Sequence, residues 1–136
     1  MLTIHPPGEA GASLGPEHLR EALWIDLLEP TPAEIALVQS AIGVELPTRS
    51  EMQEIELSSR LYTEGTSIFM TATVIQKADA TFPEVTPITF VLTAATLVTI
   101  RYGNPTPFRT FKAKCDRPGA SFGSRDKLFG GLMDEI

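Results

Sequence analysis

Two helix-start signals in quick succession, followed by a change of hydrophobic period, constrain this chain more than any other feature. Thr31-Pro32-Ala33-Glu34 places a capping hydroxyl first, proline at the first helical position and glutamate at the third. Ile35, Leu37, Val38 and Ile42 then give an apolar stripe at helical spacing, and Gly43 supplies the stop. Thr48-Arg49-Ser50-Glu51 repeats the hydroxyl and the glutamate, with Met52 and Ile55 predicted to face inward. Each glutamate also lies at the positive end of its helix dipole. From Arg60 onward the period drops to two. Residues 60–64 read as a strand, Gly65-Thr66 as its turn and residues 68–76 as the return, with Ile68, Met70, Ala72 and Val74 on one face.

The remaining segments continue this mixture. Residues 1–5 are predicted as an edge strand, 17–22 as a helical turn and 24–28 as a short strand stopped by Pro30. Residues 86–92 and 97–102 form a second hairpin across 93–96, rich in Val, Ile, Thr and Phe, which suits the buried middle of a sheet. Residues 77–84 and 117–124 read as loops. The helical period returns over 107–114, with Phe108 and Phe111 on one face. It returns again after Ser124, where Leu128, Phe129, Leu132, Met133 and Ile136 make a stripe. That stripe meets no Gly, Asn or Pro at its end, so residues 124–136 are expected to be the start of a truncated helix following a domain over 1–123. The predicted fold is mixed α/β (α+β): a mixed, largely antiparallel sheet with helices packed on its faces.

A chain of 136 residues with 43% hydrophobic and 21% charged side chains has the material for one core. The longest uncharged run, residues 85–100, is shorter than the ~20 residues a spanning helix needs, and it contains Pro87. The first eleven residues hold Glu9, no lysine or arginine and no long apolar stretch, so they do not form a signal peptide. Cys115 stands alone, which excludes an internal disulfide framework. The net charge of −6 is uneven. Seven cations (Arg101, Arg109, Lys112, Lys114, Arg117, Arg125 and Lys127) crowd residues 101–127 against Asp116 and Asp126, within an otherwise acidic chain.

Catalysis needs a nucleophile beside a base, or paired carboxylates in a cleft. His5, His18 and Cys115 are scattered, and no nucleophile elbow, P-loop or dinucleotide motif is present. No enzyme is expected. Nucleic-acid binding is not expected either, because Phe108 and Phe111 sit at core spacing and the whole chain is acidic. The acid-rich stretch 45–64 is the third candidate. Glu51 and Glu54 are three apart and share a helix face, and carboxylate pairs suit hard cations such as Mg²⁺ or Ca²⁺. Two carboxylates leave the shell incomplete, and Glu51 already has a capping role.

The ordered segments WIDLLEPTPAE (24–34), IGVELPTRSEMQEIELSSRLY (42–62), IFMTATV (68–74) and PITFVLTAATLVTIRYGNPTPF (87–108) resemble the N-terminal cytoplasmic domain of CorA-type magnesium and divalent-cation transporters. The resemblance runs from about Ala22 to the end of the chain. It implies a regulatory, cation-sensing domain on the cytoplasmic face of the inner membrane. In such transporters a stalk helix and two transmembrane helices follow, and five subunits form a homopentamer. The implied ion is Mg²⁺, with Co²⁺, Ni²⁺ or Zn²⁺ in some relatives. The family's regulatory acid falls on Glu51, with Glu54 as the fallback, and its partner carboxylate lies on a neighbour's stalk. The stalk, the membrane helices and the Gly-Met-Asn pore signature are absent from this sequence, so binding by the chain alone is expected to be weak. The basic segment gains a further reading, contact with anionic lipid or with a neighbour's acidic flank. The rival reading is a stand-alone α/β binding module that shares the fold.

Overall fold

Alternate side chains of the strand Trp24–Leu28 enter two different cores, and that alternation dictates a helix–sheet–helix arrangement. A computed structural model describes residues 1–5, 16–53, 61–75, 84–115 and 124–135. In chain order its elements are β1 (Leu2–His5), α1 (Pro16–Glu21), β2 (Trp24–Leu28), α2 (Pro32–Ile42), α3 (Arg49–Met52), β3 (Leu61–Glu64), β4 (Ser67–Ile75), β5 (Val85–Leu92), β6 (Leu97–Arg101), α4 (Thr106–Cys115) and α5 (Arg125–Glu135). Of the loops expected over 77–84 and 117–124, residues 77–83 and 117–123 lie outside the described residues, as does Ile55, expected to face inward.

The six strands form one sheet in the order β1-β2-β6-β5-β4-β3. All neighbours are antiparallel except β2 and β6, which run parallel with Asp26 opposite Thr99 and Leu28 opposite Arg101. The fold is therefore the mixed, largely antiparallel sheet that the sequence implies. On one face Leu19 of α1, Val38 and Ala41 of α2 and Met52 of α3 cover Ile25, Leu27, Phe69, Val91, Val98 and Ile100. On the other, Phe108 and Phe111 of α4 and Leu128 and Leu132 of α5 cover Trp24, Ile88, Phe90, Leu92 and Leu97. The expected stripe of β4 thus faces α4 and α5, where Val74 is buried, Met70 is half-buried, and Ile68 and Ala72 remain exposed. The fully buried residue of β4 is Phe69 on the opposite face, stacked on Tyr62 with ring centroids 4.7 Å apart. Helices on both faces erase the one-sided pattern a half-exposed strand would show.

Both capping boxes form as written. Thr31 Oγ1 accepts from the Glu34 amide at 3.2 Å while Glu34 Oε1 accepts from the Thr31 amide at 2.9 Å. Gly43 ends α2 in the left-handed region at φ +70° and donates to the Gln39 carbonyl at 2.9 Å. Gln39 Oε1 accepts from the Leu46 amide at 2.9 Å, which fixes the connection toward α3. Pro87 sits one residue beyond the β6 pairing, so it removes no bond from that ladder.

Candidate functional site

Glu51 stands on α3, a single helical turn held in place by Met52, which is buried in the core beneath it. Thr48 Oγ1 accepts from the Glu51 amide at 3.2 Å, and Glu51 Oε1 accepts from the Thr48 amide at 3.1 Å. The side chain is exposed. An ionised carboxylate offers about four lone-pair sites, so one cap bond leaves most of its acceptor capacity for a cation. Glu54 lies outside the described residues. Arg49, on the same turn, places its guanidinium 4.7 Å from the centre of the Tyr102 ring, which ties α3 to the end of β6.

The surroundings of Glu51 are acidic. Burial pushes the Tyr62 phenol above its ordinary value of 10.0, and the charges of Glu64, Glu51 and Glu45 push it further, because each disfavours a phenolate. Three carboxylates from three segments therefore act on one hydroxyl. Among the described residues, however, no group of three His, Cys, Asp or Glu side chains is placed to hold a metal ion. One chain offers carboxylate oxygens of the right chemistry for Mg²⁺ but not a closed shell.

A second constellation lies across the sheet. Asp26, fully buried in β2, takes two bonds from Arg101 of β6: Nε to Oδ1 at 3.0 Å and Nη2 to Oδ2 at 2.8 Å. Thr99 Oγ1 donates to Oδ1 at 2.7 Å and accepts from Trp24 Nε1 at 3.0 Å. Lys112 of α4 reaches Oδ2 at 2.7 Å and also donates to Thr3 Oγ1 at 2.8 Å. Arg101 spends Nη1 on the Gly103 carbonyl and Asn104 Oδ1, and its guanidinium lies 4.5 Å from the Phe108 ring centre. Burial alone would raise the Asp26 carboxyl, but the bonds and charge of Arg101, joined by Lys112, hold it below its ordinary value of 3.8. Among the described residues, no buried side-chain nitrogen or oxygen lacks a hydrogen-bond partner.

Comparison with known proteins places this geometry. No protein-family model matches the chain. The magnesium transport protein CorA of Wolinella succinogenes is 34% identical over 100 residues, a match covering 71% of this chain and 30% of the relative. The CorA of Campylobacter jejuni is 36% identical over 100 residues, covering 68% and 31%. The soluble domain of CorA from Methanocaldococcus jannaschii superposes with a TM-score of 0.67 at 16% identity, over 98% of this chain and 54% of that one. This is a CorA-type N-terminal domain. The chain spans about a third of the length of the curated relatives it matches.

In this CorA-type domain the basic segment is largely spent internally. Arg101 and Lys112 serve Asp26, Lys114 pairs with Glu135, and Arg109 bonds the Asn104 carbonyl and Thr106. Arg117 lies outside the described residues. His5 stacks on Trp24 at 5.0 Å, Cys115 is half-buried at the end of α4, and the side chain of His18 falls outside the description. An open groove of about 410 Å³ at one end of the sheet is lined by turns, with Arg20 and Glu64 as its charged groups. It gathers no convergent chemistry. The sequence reading missed Asp26 as a centre. The signal was present: a lone acid inside WIDLL and a lone arginine closing LVTIR, each in a run that must be buried. Among the described residues no helix is long and apolar enough to cross a membrane.

Proposed function

We infer that this domain is the cation-sensing, regulatory part of a CorA-like magnesium or divalent-metal transporter, acting from the cytoplasmic side of the membrane in a homopentamer. The single observation that carries this reading is Glu51: an exposed carboxylate, held on a rigid capped turn, in an acidic neighbourhood with Glu45 and Glu64. Kinship with proteins named for magnesium transport supplies the ion. Mg²⁺ prefers oxygen ligands and keeps much of its water, so a single protein carboxylate from each of two chains suits it. Glu51, with Glu54 as the fallback, would hold the ion against a carboxylate of a neighbouring subunit. Residues 124–136 would lead toward the stalk that carries that partner.

Binding at such a shared site stabilises the assembled state over the separated one, which is how a bound ion biases a closed pore. On the assembled transport protein, Mg²⁺ is expected to raise thermal stability above a control of matched ionic strength. Glu51→Gln should reduce that gain. An equal gain in parent and variant would remove Glu51 from the sensor.

A further inference from the structure

Asp26 has two cationic partners from two different layers, and they are not equivalent. Arg101 comes from the adjacent strand, makes both of its carboxylate bonds within the sheet, and has a side chain only 2% exposed. Its other amine is tied to Gly103 and Asn104, so hydrogen bonds ahead of α4 hold it in place, although its face also meets Phe108 of α4. The bidentate pair already neutralises Asp26. Lys112 therefore brings a surplus positive charge, on a side chain 20% exposed, to a carboxylate that does not depend on it.

That asymmetry makes one contact cheap to open. If Lys112 withdraws, its ammonium reaches water, Asp26 keeps Arg101 and Thr99, and no buried charge is stranded. Among the described residues this layer also meets the sheet through the Arg101 guanidinium over the Phe108 ring and through the apolar side chains Phe108, Phe111, Leu128 and Leu132. Apolar contacts are non-directional, so they hold the helices against the sheet without dictating one register. Lys112 supplies direction, because it bonds β2 through Asp26 and β1 through Thr3 at once. Lys114 pairs with Glu135, which joins α4 to α5. Among the described residues Arg109 bonds locally, to the Asn104 carbonyl and to Thr106 at the start of α4.

We propose that Lys112 is a releasable fastener that sets how the α4–α5 layer sits on the sheet, and that this layer shifts as a unit when Lys112 lets go of Asp26 and Thr3. The device stands independently of the ion reading.

Hydrogen exchange followed by mass spectrometry on this chain tests it. Lys112→Met keeps the apolar stem and removes the charge. Exchange in α4 and α5 is expected to quicken about tenfold, the size of one charge-assisted hydrogen bond opening locally, while β2 and β6 exchange as in the parent. Unchanged exchange in α4 and α5 would overturn the proposal. So would an equal acceleration in β2 and β6, or failure of the variant to fold, since either makes Lys112 part of the common core. Lys112→Gln, which still donates a hydrogen bond but carries no charge, should fall between parent and Lys112→Met. Exchange as slow as the parent's in Lys112→Gln would overturn the role of the charge.

Discussion

Replacing Asp26 by asparagine tests the buried network at its centre. The substitution keeps the size of the side chain but reverses the polarity of one oxygen position. An amide nitrogen there would point donors at Arg101 or Lys112, which are themselves donors. Arg101, 2% exposed, would then lie buried without a counter-charge. Breaking a buried pair from one side costs about 3–5 kcal/mol, against a total of roughly 5–15 kcal/mol for a domain of this kind. Urea unfolding is well suited to the measurement, because Trp24 is the sole tryptophan and is fully buried. Far-ultraviolet circular dichroism run in parallel guards against a local change of its fluorescence. The variant should lose that stability with little change in slope. Adding Arg101→Met to it should recover part of the loss, since the stranded charge is gone.

The effect depends on pH in a defined direction. The folded-state carboxyl titrates below its ordinary value of 3.8, so the native state binds fewer protons than the unfolded chain in the acid range. The contribution of the charge is complete above that ordinary value and is lost as pH falls through the lower folded-state value. The gap between parent and Asp26→Asn should therefore be full at neutral pH and narrow below pH 3.8. A loss under about 1 kcal/mol at neutral pH, or a gap that widens in acid, would refute the reasoning.

Two further outcomes follow from single positions. Gly43 and Gly130 both have open space where a Cβ would stand, but Gly43 sits at φ +70° and Gly130 lies inside α5. Alanine should therefore cost about 1 kcal/mol at the first and add about 0.5–1 kcal/mol at the second, and equal urea midpoints would contradict this. In a Tyr102→Phe background, ultraviolet titration should find the Tyr62 phenol above 10.0. Glu64→Gln should bring it down more than Glu51→Gln, following the order of their influence, and a value indifferent to both would remove the acidic neighbourhood.

The local parts of this fold are legible in the sequence because their determinants are neighbours. Thr31 meets Glu34 three residues on, Thr48 meets Glu51, and Gly65 closes its own turn at φ +59°. The order of the strands is less legible. Nothing local states that β2 pairs in parallel with β6, since Ile25 and Leu27 would satisfy any apolar surface equally well. Arg101 read as one member of a basic segment for the same reason. Its partner lies 75 residues earlier, and composition alone does not distinguish a solvated arginine from one matched to a buried acid. Glu51 is the opposite case. Its local bonds follow directly from the sequence, while any ligand it shares with another chain has no counterpart within the chain itself.

The parallel pairing of β2 with β6 has a consequence for how the molecule assembles in time. Strands β4, β5 and β6 form a meander of close neighbours, whereas Trp24 meets Thr99 only across a sequence separation of 75 positions. The chain-entropy cost of that closure precedes its reward, so the meander leads and the central seam closes late. In refolding, amides of β5 should gain protection before Trp24 loses contact with water. Until the seam closes, β6 presents a bare edge and Arg101 has no counter-ion. Slow closure at this point is when a chain of this kind is most open to pairing with the wrong strand.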